Sequence, residues 1–248
     1  MIATIQHKGQ EFKVDLSSAI DLSITLKNGE DNPNAWYVPP VKMEAVKMGD
    51  WIGQVSKGGS VNFFNIFFNP HGHGTHTECL GHISVQQESI NDCLKTFFFM
   101  AQLCSVQTQK IGQDSVITKE SLEGFLKNPT EALIIRTLPN DDDKLLRKYS
   151  NTNPPYLSKE AALLIRELDI KHLLIDLPSV DKEVDGGKLE AHHAFWDYPN
   201  KPRFDCTITE LIYVPNTVPD GTYLLNLSIA PFENDASPSR PTLYPLLG

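Results

Sequence analysis

The sequence predicts an α/β fold in which helices flank a mixed β-sheet. Segments of helix type and strand type alternate in the middle of the chain with connections of a few residues, the pattern of α/β crossovers. The last third returns to strand-type segments, so the sheet should contain antiparallel as well as parallel strands. The chain has 248 residues, 40% of them hydrophobic, and no internal repeat or linker. It is therefore predicted to form a single domain over residues 1–248.

The first half of the chain contains three segments of strand type. Residues 21–26 alternate polar and apolar side chains and end at a Lys-Asn-Gly turn. Residues 61–68 are rich in aromatic and β-branched side chains and stop at Asn69-Pro70. Residues 96–108 form another apolar run. We expect each of these segments to be a strand.

The second half contains the predicted helices. Thr118 is placed to cap a helix, and residues 131–138 follow as a buried strand. Ser158 is placed to cap a second helix, because apolar side chains recur after it at helical spacing, and residues 172–177 form the next strand. The remaining predicted strands are residues 207–214 and 222–230.

Composition excludes several classes of function. A net charge of −9 argues against the nucleic-acid backbone as a partner. No apolar run approaches the ~20 residues of a membrane helix, and the first ten residues lack the apolar core of a secretory signal. The four cysteines are scattered without a Cys-x-x-Cys pair, which indicates reduced thiols. We expect a cytoplasmic protein with no nucleic-acid or membrane partner.

The most informative segment is residues 71–82, which contain His71, His73, His76, Glu78 and His82. The chain has eight histidines, and four of them lie here. Imidazoles and a carboxylate at this density suit a divalent metal such as Zn²⁺ or Mn²⁺. A single histidine is usually an ordinary core residue, but five potential ligands in one segment favour a metal site.

Backbone geometry suggests how these side chains meet. If residues 75–79 are extended, His76 and Glu78 point to the same face. Positive φ at Gly72 and Gly74 would turn the chain back and return His71 or His73 to that face. A bend at Gly81 would then bring His82 over the site. Three ligands with a fourth group nearby are typical of catalytic metal sites.

Two less specific interpretations are a structural zinc site and a surface patch that binds metal adventitiously. A closed structural site favours thiolates, yet Cys79 should face the opposite side of the strand from Glu78. The sequence has neither His-Glu-x-x-His nor Gly-x-Ser-x-Gly, which disfavours a zinc protease and a serine hydrolase.

Further candidate ligands lie downstream. His192 and His193 precede an aromatic run, and Glu210 is the only charged residue of its predicted strand. A buried glutamate needs a partner, which a metal would supply. The alternative is that Glu210 simply faces solvent.

These segments together resemble the cyclase family of metal-dependent hydrolases, to which bacterial kynurenine formamidases and isatin hydrolases belong. Its motif is His-x-Gly-Thr-His-x-Asp-x-Pro-x-His, which Gly74-Thr75-His76, the acid at 78 and His82 match. The segments similar to other family motifs are 175–181, 192–196, 209–211 and 237–241.

The resemblance implies a swivelling β/β/α-type fold, a homodimer and one or two zinc or manganese ions per chain. Its implied metal ligands are His71, His76, Glu78, His192 and Glu210. It also implies His82 as general acid/base for a metal-activated water that attacks an amide carbonyl. The expected substrate is an aryl formamide such as N-formylkynurenine, or a related cyclic amide. The alternatives are a lactone hydrolase, a cyclase or dehydratase, and a non-catalytic metal-stabilised protein.

The chain departs from the family motif in three places. One extra residue precedes Gly74, so that either His71 or His73 is the first ligand, with His71 favoured. Glu78 replaces aspartate and Leu80 replaces proline. The segment between His192 and Glu210 is longer than in the family. Its aromatic residues are candidate substrate contacts or ordinary packing: Trp196, Tyr198 and Phe204.

Overall fold

The computed structural model describes residues 1–128 and 130–247. The strands are β1 (Ile2–His7), β2 (Gln10–Asp15), β3 (Ile20–Asp21), β4 (Lys42–Ala45), β5 (Lys47–Met48), β6 (Trp51–Ile52), β7 (Phe64–Phe67), β8 (His76–Glu78), β9 (Phe98–Gln107), β10 (Gln109–Ile111), β11 (Asp114–Ile117), β12 (Ala132–Leu138), β13 (Tyr156–Leu157), β14 (His172–Ile175), β15 (Thr207–Glu210), β16 (Gly221–Ile229) and β17 (Ala236–Leu247).

The helices are short. They are α1 (Pro70–His73), α2 (Ile90–Cys93), α3 (Lys119–Glu123), α4 (Lys159–Glu167) and α5 (Glu190–Trp196). In the part of the chain that the structure describes, three 3₁₀ turns accompany them, at Val55–Lys57, Leu80–His82 and Asp142–Leu145. No helix among the described residues is long and apolar enough to cross a membrane.

Ten strands of the described residues form one mixed sheet, which confirms the predicted α/β fold class. Strands β9, β12, β14 and β15 are parallel neighbours. The other pairings of this sheet are antiparallel. Because β8 pairs with both β15 and β17, seven strands close into a ring in the order β17-β16-β9-β12-β14-β15-β8. Strand β8, with the histidine-rich segment around it, therefore completes the ring.

The alternation of side chains along β12 separates two apolar cores. Leu133 and Ile135 belong to the core beneath α4 and α5, whereas Ala132 and Ile134 belong to the core inside the ring of strands. All four are buried, as expected for a strand covered on both faces. Helices α3, α4 and α5 thus cover one face of the sheet, and His192 of α5 reaches the candidate site from that side.

Both predicted helix caps are confirmed. The Thr118 hydroxyl accepts a hydrogen bond from Ser121 N at 3.4 Å, and the Ser158 hydroxyl accepts one from Ala161 N at 3.2 Å. These bonds satisfy amide groups that the first turn of a helix leaves without partners. The strands predicted at 96–108, 131–138, 172–177 and 222–230 are also confirmed, with slightly different ends.

Three other predicted strands are shorter or absent. Strand β7 covers only the second half of 61–68, and β15 ends at Glu210 because Leu211 has a left-handed φ of 52°. The prediction for 21–26 is wrong beyond Asp21. Leu22 N still donates to Pro241 O of β17 at 2.9 Å, but Ile24 N donates to the Thr75 hydroxyl at 2.9 Å and has left the sheet. An alternating pattern does not make a strand where no neighbouring strand pairs with it. The prediction of one domain over residues 1–248 stays a prediction.

Candidate metal centre

Strands β8 and β15 supply three of the predicted ligands. His76 and Glu78 lie one residue apart on β8 and share a face, as predicted, while Thr77 between them bonds Thr209 on the other side at 2.8 Å. Glu210 is directly opposite His76 in the register of β15. Its Oε2 lies 3.4 Å from His76 Nε2. Glu210 is 3% exposed, so the alternative of a solvent-facing glutamate is wrong.

The one-turn helix α1 places His71 beside them. The Asn69 side chain caps this turn by accepting a hydrogen bond from Gly72 N at 3.1 Å, and Pro70 occupies the first helical position. His71 Nδ1 then lies 3.2 Å from Glu78 Oε2. The predicted positive φ at Gly72 and Gly74 is wrong, since Gly72 is helical and Gly74, with a φ of 167°, is extended.

His73, the alternative first ligand, faces away from this cluster. Its Nδ1 accepts a hydrogen bond from Asn69 N at 2.7 Å, and its Nε2 donates one to Pro39 O at 2.7 Å. Both ring nitrogens are therefore engaged with the backbone, and His73 helps to hold α1 in place. Of the two alternatives, the structure brings His71 into the cluster.

A 3₁₀ turn places His82 at the rim. His82 Nδ1 lies 3.1 Å from Asp235 Oδ2 and 3.8 Å from Glu78 Oε2. Its side chain is 31% exposed, more than the other histidines of the cluster. Gly81 is required here because a Cβ atom on it would lie 2.0 Å from Glu88 O. The close approach of the Glu88 backbone, and not the predicted bend, is therefore the reason for glycine at position 81.

Helix α5 brings in His192 from the other side of the cluster. His192 Nε2 lies 3.1 Å from Glu78 Oε1, and its Nδ1 lies 2.6 Å from Asp181 Oδ2. The Asp181 carboxylate also accepts hydrogen bonds from the backbone amides of Ala191 and His192, at 2.7 and 3.1 Å. Asp181, in the segment that precedes α5, therefore caps this helix and also orients the ring of His192.

The sequence reasoning missed two carboxylates, Asp181 and Asp235. Asp181 ends the segment 175–181 that resembles the family, but the resemblance alone implies no role for it. Asp235 lies just before the segment 237–241 and has no motif of its own; its Oδ2 is 3.0 Å from His71 Nε2. The pairing of Ala236 with Glu78 brings it there, and only the topology of the sheet shows this.

Electrostatics make the cluster a site for positive charge. Burial disfavours the charged form of His71, but the neighbouring carboxylates of Asp235 and Glu78 outweigh it and raise the pKa of His71 to about 10. Burial is likewise outweighed at His192, where Asp181 and Glu78 raise the pKa to about 10. The pKa of Glu78 is held well below its usual range, since the surrounding imidazoles outweigh burial. The carboxylates thus attract cations to this point, and a metal ion would compete with these protons.

Buried side-chain atoms that lack a hydrogen-bond partner indicate whether a metal ion fits this site. Among the buried side-chain nitrogen and oxygen atoms of residues 1–128 and 130–247, those without a hydrogen-bond partner are His76 Nε2, Glu78 Oε2 and Ser239 Oγ. The first two face the cluster, and His76 Nδ1 donates to Gly74 O at 2.9 Å, which leaves Nε2 with a free lone pair. Buried polar atoms are rarely left unpaired, so a cation fits here. Imidazole and carboxylate donors suit zinc or manganese.

The groups of potential ligand atoms within 4.8 Å of one another overlap at this point. They are His71, His76 and Glu78; His71, His82 and Asp235; and Glu78, His82 and His192. Glu210 adjoins them, with Oε1 4.0 Å from His192 Nε2 and hydrogen-bonded to Val180 N at 3.0 Å. All six predicted site residues therefore meet in one place. Their individual roles stay predictions.

The aromatic candidates for substrate contact are mainly packing residues. Trp196 is fully buried, donates a hydrogen bond to Cys206 O at 2.9 Å and stacks on His192. Tyr198 packs on the helix-side core and stacks on His193. Phe204 is exposed and lines a groove that contains none of the six site residues. Of the two interpretations, the structure supports packing for Trp196 and Tyr198.

A family model described as "Putative cyclase" matches residues 20–182. The chain belongs to the cyclase family. Members of this family with curated names include a kynurenine formamidase of Bacillus cytotoxicus, 28% identical over 77% of this chain and 83% of the relative. A kynurenine formamidase of Bacillus cereus is 26% identical over 94% of this chain and 97% of its own length.

Solved structures agree with the fold of the cyclase-family chain. An isatin hydrolase bound to the product analogue thioisatinate superposes with a TM-score of 0.65, at 15% identity and 93% coverage of both chains. A predicted metal-dependent hydrolase from Bacillus stearothermophilus gives a TM-score of 0.63 at 16% identity, covering 92% of this chain and 98% of its own. At these identities the similarity shows the fold alone.

Proposed function

We propose that this protein is a metal-dependent amidohydrolase that cleaves an aryl formamide resembling N-formylkynurenine, or a related cyclic amide. The observation that carries the proposal is the buried histidine–carboxylate cluster, whose unpartnered His76 Nε2 and Glu78 Oε2 adjoin the partly exposed His82. The curated relatives named kynurenine formamidase support hydrolysis of a carbon–nitrogen bond.

The metal would be held by His71, His76, Glu78, His192 and Glu210. Glu78 occupies the middle of this set, since its Oε2 is 3.2 Å from His71 Nδ1 and its Oε1 is 3.1 Å from His192 Nε2. Because its two oxygens face different histidines, the Glu78 carboxylate could bind a single ion or bridge two. The proposed metal is zinc or manganese, with one or two ions per chain. Such a metal, when bound, polarises the amide carbonyl and increases the acidity of water.

His82 would move the proton. The Asp235 carboxylate is within hydrogen-bond distance of His82 Nδ1, so that the N–H is held there and Nε2 keeps the lone pair that accepts a proton. A neutral imidazole can take a proton from the attacking water and return it to the leaving nitrogen. Because His82 is the most exposed histidine of the cluster, substrate can reach it without displacing a buried side chain.

Activity and metal content of the purified protein test this proposal. We expect zinc- or manganese-loaded protein to hydrolyse N-formylkynurenine, chelation to abolish the activity and metal addition to restore it. His82→Ala should retain the metal and lose roughly 10²–10⁴-fold in kcat. Full activity in metal-free protein would contradict the mechanism. Activity on lactones or cyclic imides, with none on formamides, would favour the alternative hydrolase reactions, and inactivity on every substrate would favour a non-catalytic protein.

A further inference from the structure

A single oxygen of Asp235 contacts two histidines that have different predicted roles. Asp235 Oδ2 lies 3.0 Å from Nε2 of His71, a predicted metal ligand, and 3.1 Å from Nδ1 of His82, the predicted proton carrier. A carboxylate accepts hydrogen bonds and cannot donate them. Each of these two nitrogens must therefore carry the hydrogen.

These hydrogen bonds determine which nitrogen of each ring keeps a lone pair for a metal ion or a proton. When a metal ion beside Glu78 replaces the second proton of His71, Asp235 would keep the hydrogen on Nε2, and Nδ1, the atom 3.2 Å from Glu78 Oε2, would present its lone pair to that ion. With the hydrogen on Nδ1, His82 keeps Nε2 as the base. His192 shows the same arrangement, since Asp181 holds its Nδ1 at 2.6 Å while Nε2 faces Glu78. Partners of this kind fix the tautomer and the orientation of metal-bound histidines.

The backbone holds Asp235 independently of the histidines. Its carbonyl accepts a hydrogen bond from Cys79 N at 3.0 Å, and the carbonyl of Asn234 accepts one from Ile90 N at 2.8 Å. Ala236, the next residue, pairs with Glu78 across β17 and β8. The carboxylate is thus fixed to the strand that carries two predicted metal ligands, so it can impose an orientation on the rings it contacts.

We propose that Asp235 is a positioning residue that sets the tautomers of both His71 and His82. It directs Nδ1 of His71 to the metal centre and leaves Nε2 of His82 free for proton transfer. The part that concerns His82 rests on the proposed hydrolase function; the tautomers themselves do not. The competing role for Asp235 is that of a direct metal ligand.

The experiment compares Asp235→Asn with the wild type in zinc-loaded protein. ¹⁵N NMR of the histidine side chains at about pH 9, where an ordinary imidazole is neutral, reports which nitrogen carries the hydrogen. We expect the Nδ1–H form of His82 in the wild type and a shift towards the Nε2–H form in the variant, because the Asn amide can donate to Nδ1. With N-formylkynurenine as substrate, kcat should fall roughly 10²–10⁴-fold with little change in KM. Zinc affinity should fall by about 10–100-fold, the effect of losing an outer partner.

Two further variants make the result specific. Asp92→Asn is the matched control, because Asp92 is an exposed carboxylate that pairs with the exposed Lys95, and it should change none of these readouts. Asp235→Glu keeps a carboxylate as acceptor and should retain the wild-type tautomer of His82. A protein that folds with either side chain but changes tautomer only with Asn shows positioning and not a general loss of structure.

Unchanged tautomers in Asp235→Asn would overturn the proposal. A loss of zinc as severe as in Glu78→Gln would also overturn it, because Asp235 would then be a direct ligand. A tautomer shift in a protein that hydrolyses no amide would support positioning and contradict only the proposed function.

Discussion

At the scale of single residues, Glu78 is where this chain differs most from its family motif. The motif has aspartate at this position, and the additional methylene of glutamate extends the carboxylate further from β8. Its two oxygens contact opposite sides of the cluster, with Oε1 near His192 and Oε2 near His71. Glu78 is completely buried, so its charge must be balanced by protonated histidines or by a metal.

We expect Glu78→Gln to lose metal binding. The substitution preserves size but removes the negative charge that faces His71, His82 and His192. Zinc affinity, measured by isothermal titration calorimetry, should fall by more than the roughly 100-fold typical of an outer partner. Glu44→Gln, on strand β4 where the partly exposed Glu44 pairs with Lys42, should bind zinc as the wild type does. Equal affinities in the two variants would exclude Glu78 as a ligand.

At the scale of secondary structure, the segments that position the site are its shortest ones. Helix α1 and the 3₁₀ turn at Leu80–His82 span four and three residues, less than the length over which a hydrophobic period can be recognised. The sequence therefore predicts the strands β9, β12, β14 and β16 and the capped helices α3 and α4, but not the turns that carry His71 and His82. The sequence also cannot show that Gly72 and Gly81 are needed for close packing, because the atoms that a Cβ would meet belong to other segments.

Gly81 offers a test at this scale. A Cβ at Gly81 would lie 2.0 Å from Glu88 O and 2.8 Å from Glu88 N, and backbone atoms cannot yield as a flexible side chain can. We expect Gly81→Ala to lower the free energy of unfolding by roughly 1–3 kcal/mol, the usual cost of overpacking. Thermal unfolding followed by circular dichroism measures it.

The matched control is Gly124→Ala at the end of α3. Gly124 has a φ of −62° and nothing within 4 Å of an added Cβ, so alanine should be neutral or stabilise by up to about 1 kcal/mol. If Gly81→Ala lowered the free energy of unfolding no more than Gly124→Ala does, the close-packing explanation would be contradicted.

At the scale of the whole molecule, the site is made of residues that lie far apart in the sequence. The motif of residues 71–82 could be identified in advance because its ligands are close together, and His192 and Glu210 followed from the family resemblance. Asp235 could not be found, since its proximity to His71 depends on the pairing of β17 with β8. Long-range strand pairing is a property of the complete fold that local patterns do not encode. The implied homodimer stays a prediction.

Global stability should depend on pH through His172. This residue is buried at the start of β14, against Phe99 and hydrogen-bonded to Thr207 at 2.9 Å. Burial lowers its pKa from 6.5 to about 3. Between those values the unfolded chain binds a proton that the folded chain does not, so stability falls as the pH falls from 6.5 towards 3, by up to about 1.4 kcal/mol per pH unit.

His172→Gln isolates this contribution, because glutamine can bond Thr207 but cannot take up a proton. Urea unfolding of both proteins between pH 7 and pH 4 should show a shallower loss of stability in the variant. Above pH 7 the two proteins should show a constant difference in stability. Parallel pH profiles throughout would contradict the assignment. The comparison is made at the same metal content, so that the carboxylates of the metal centre contribute equally to both.

The closure of the strand ring by β8 has a consequence for biosynthesis. Strand β8 is made early, but its two neighbours are Thr207–Glu210 and the first residues of β17. While the ribosome is still making the intervening residues, the histidine-rich segment has no strand beside it and lacks Glu210 and Asp235. The complete metal centre can therefore assemble only after Asp235 and the residues of β17 that pair with β8 have been made.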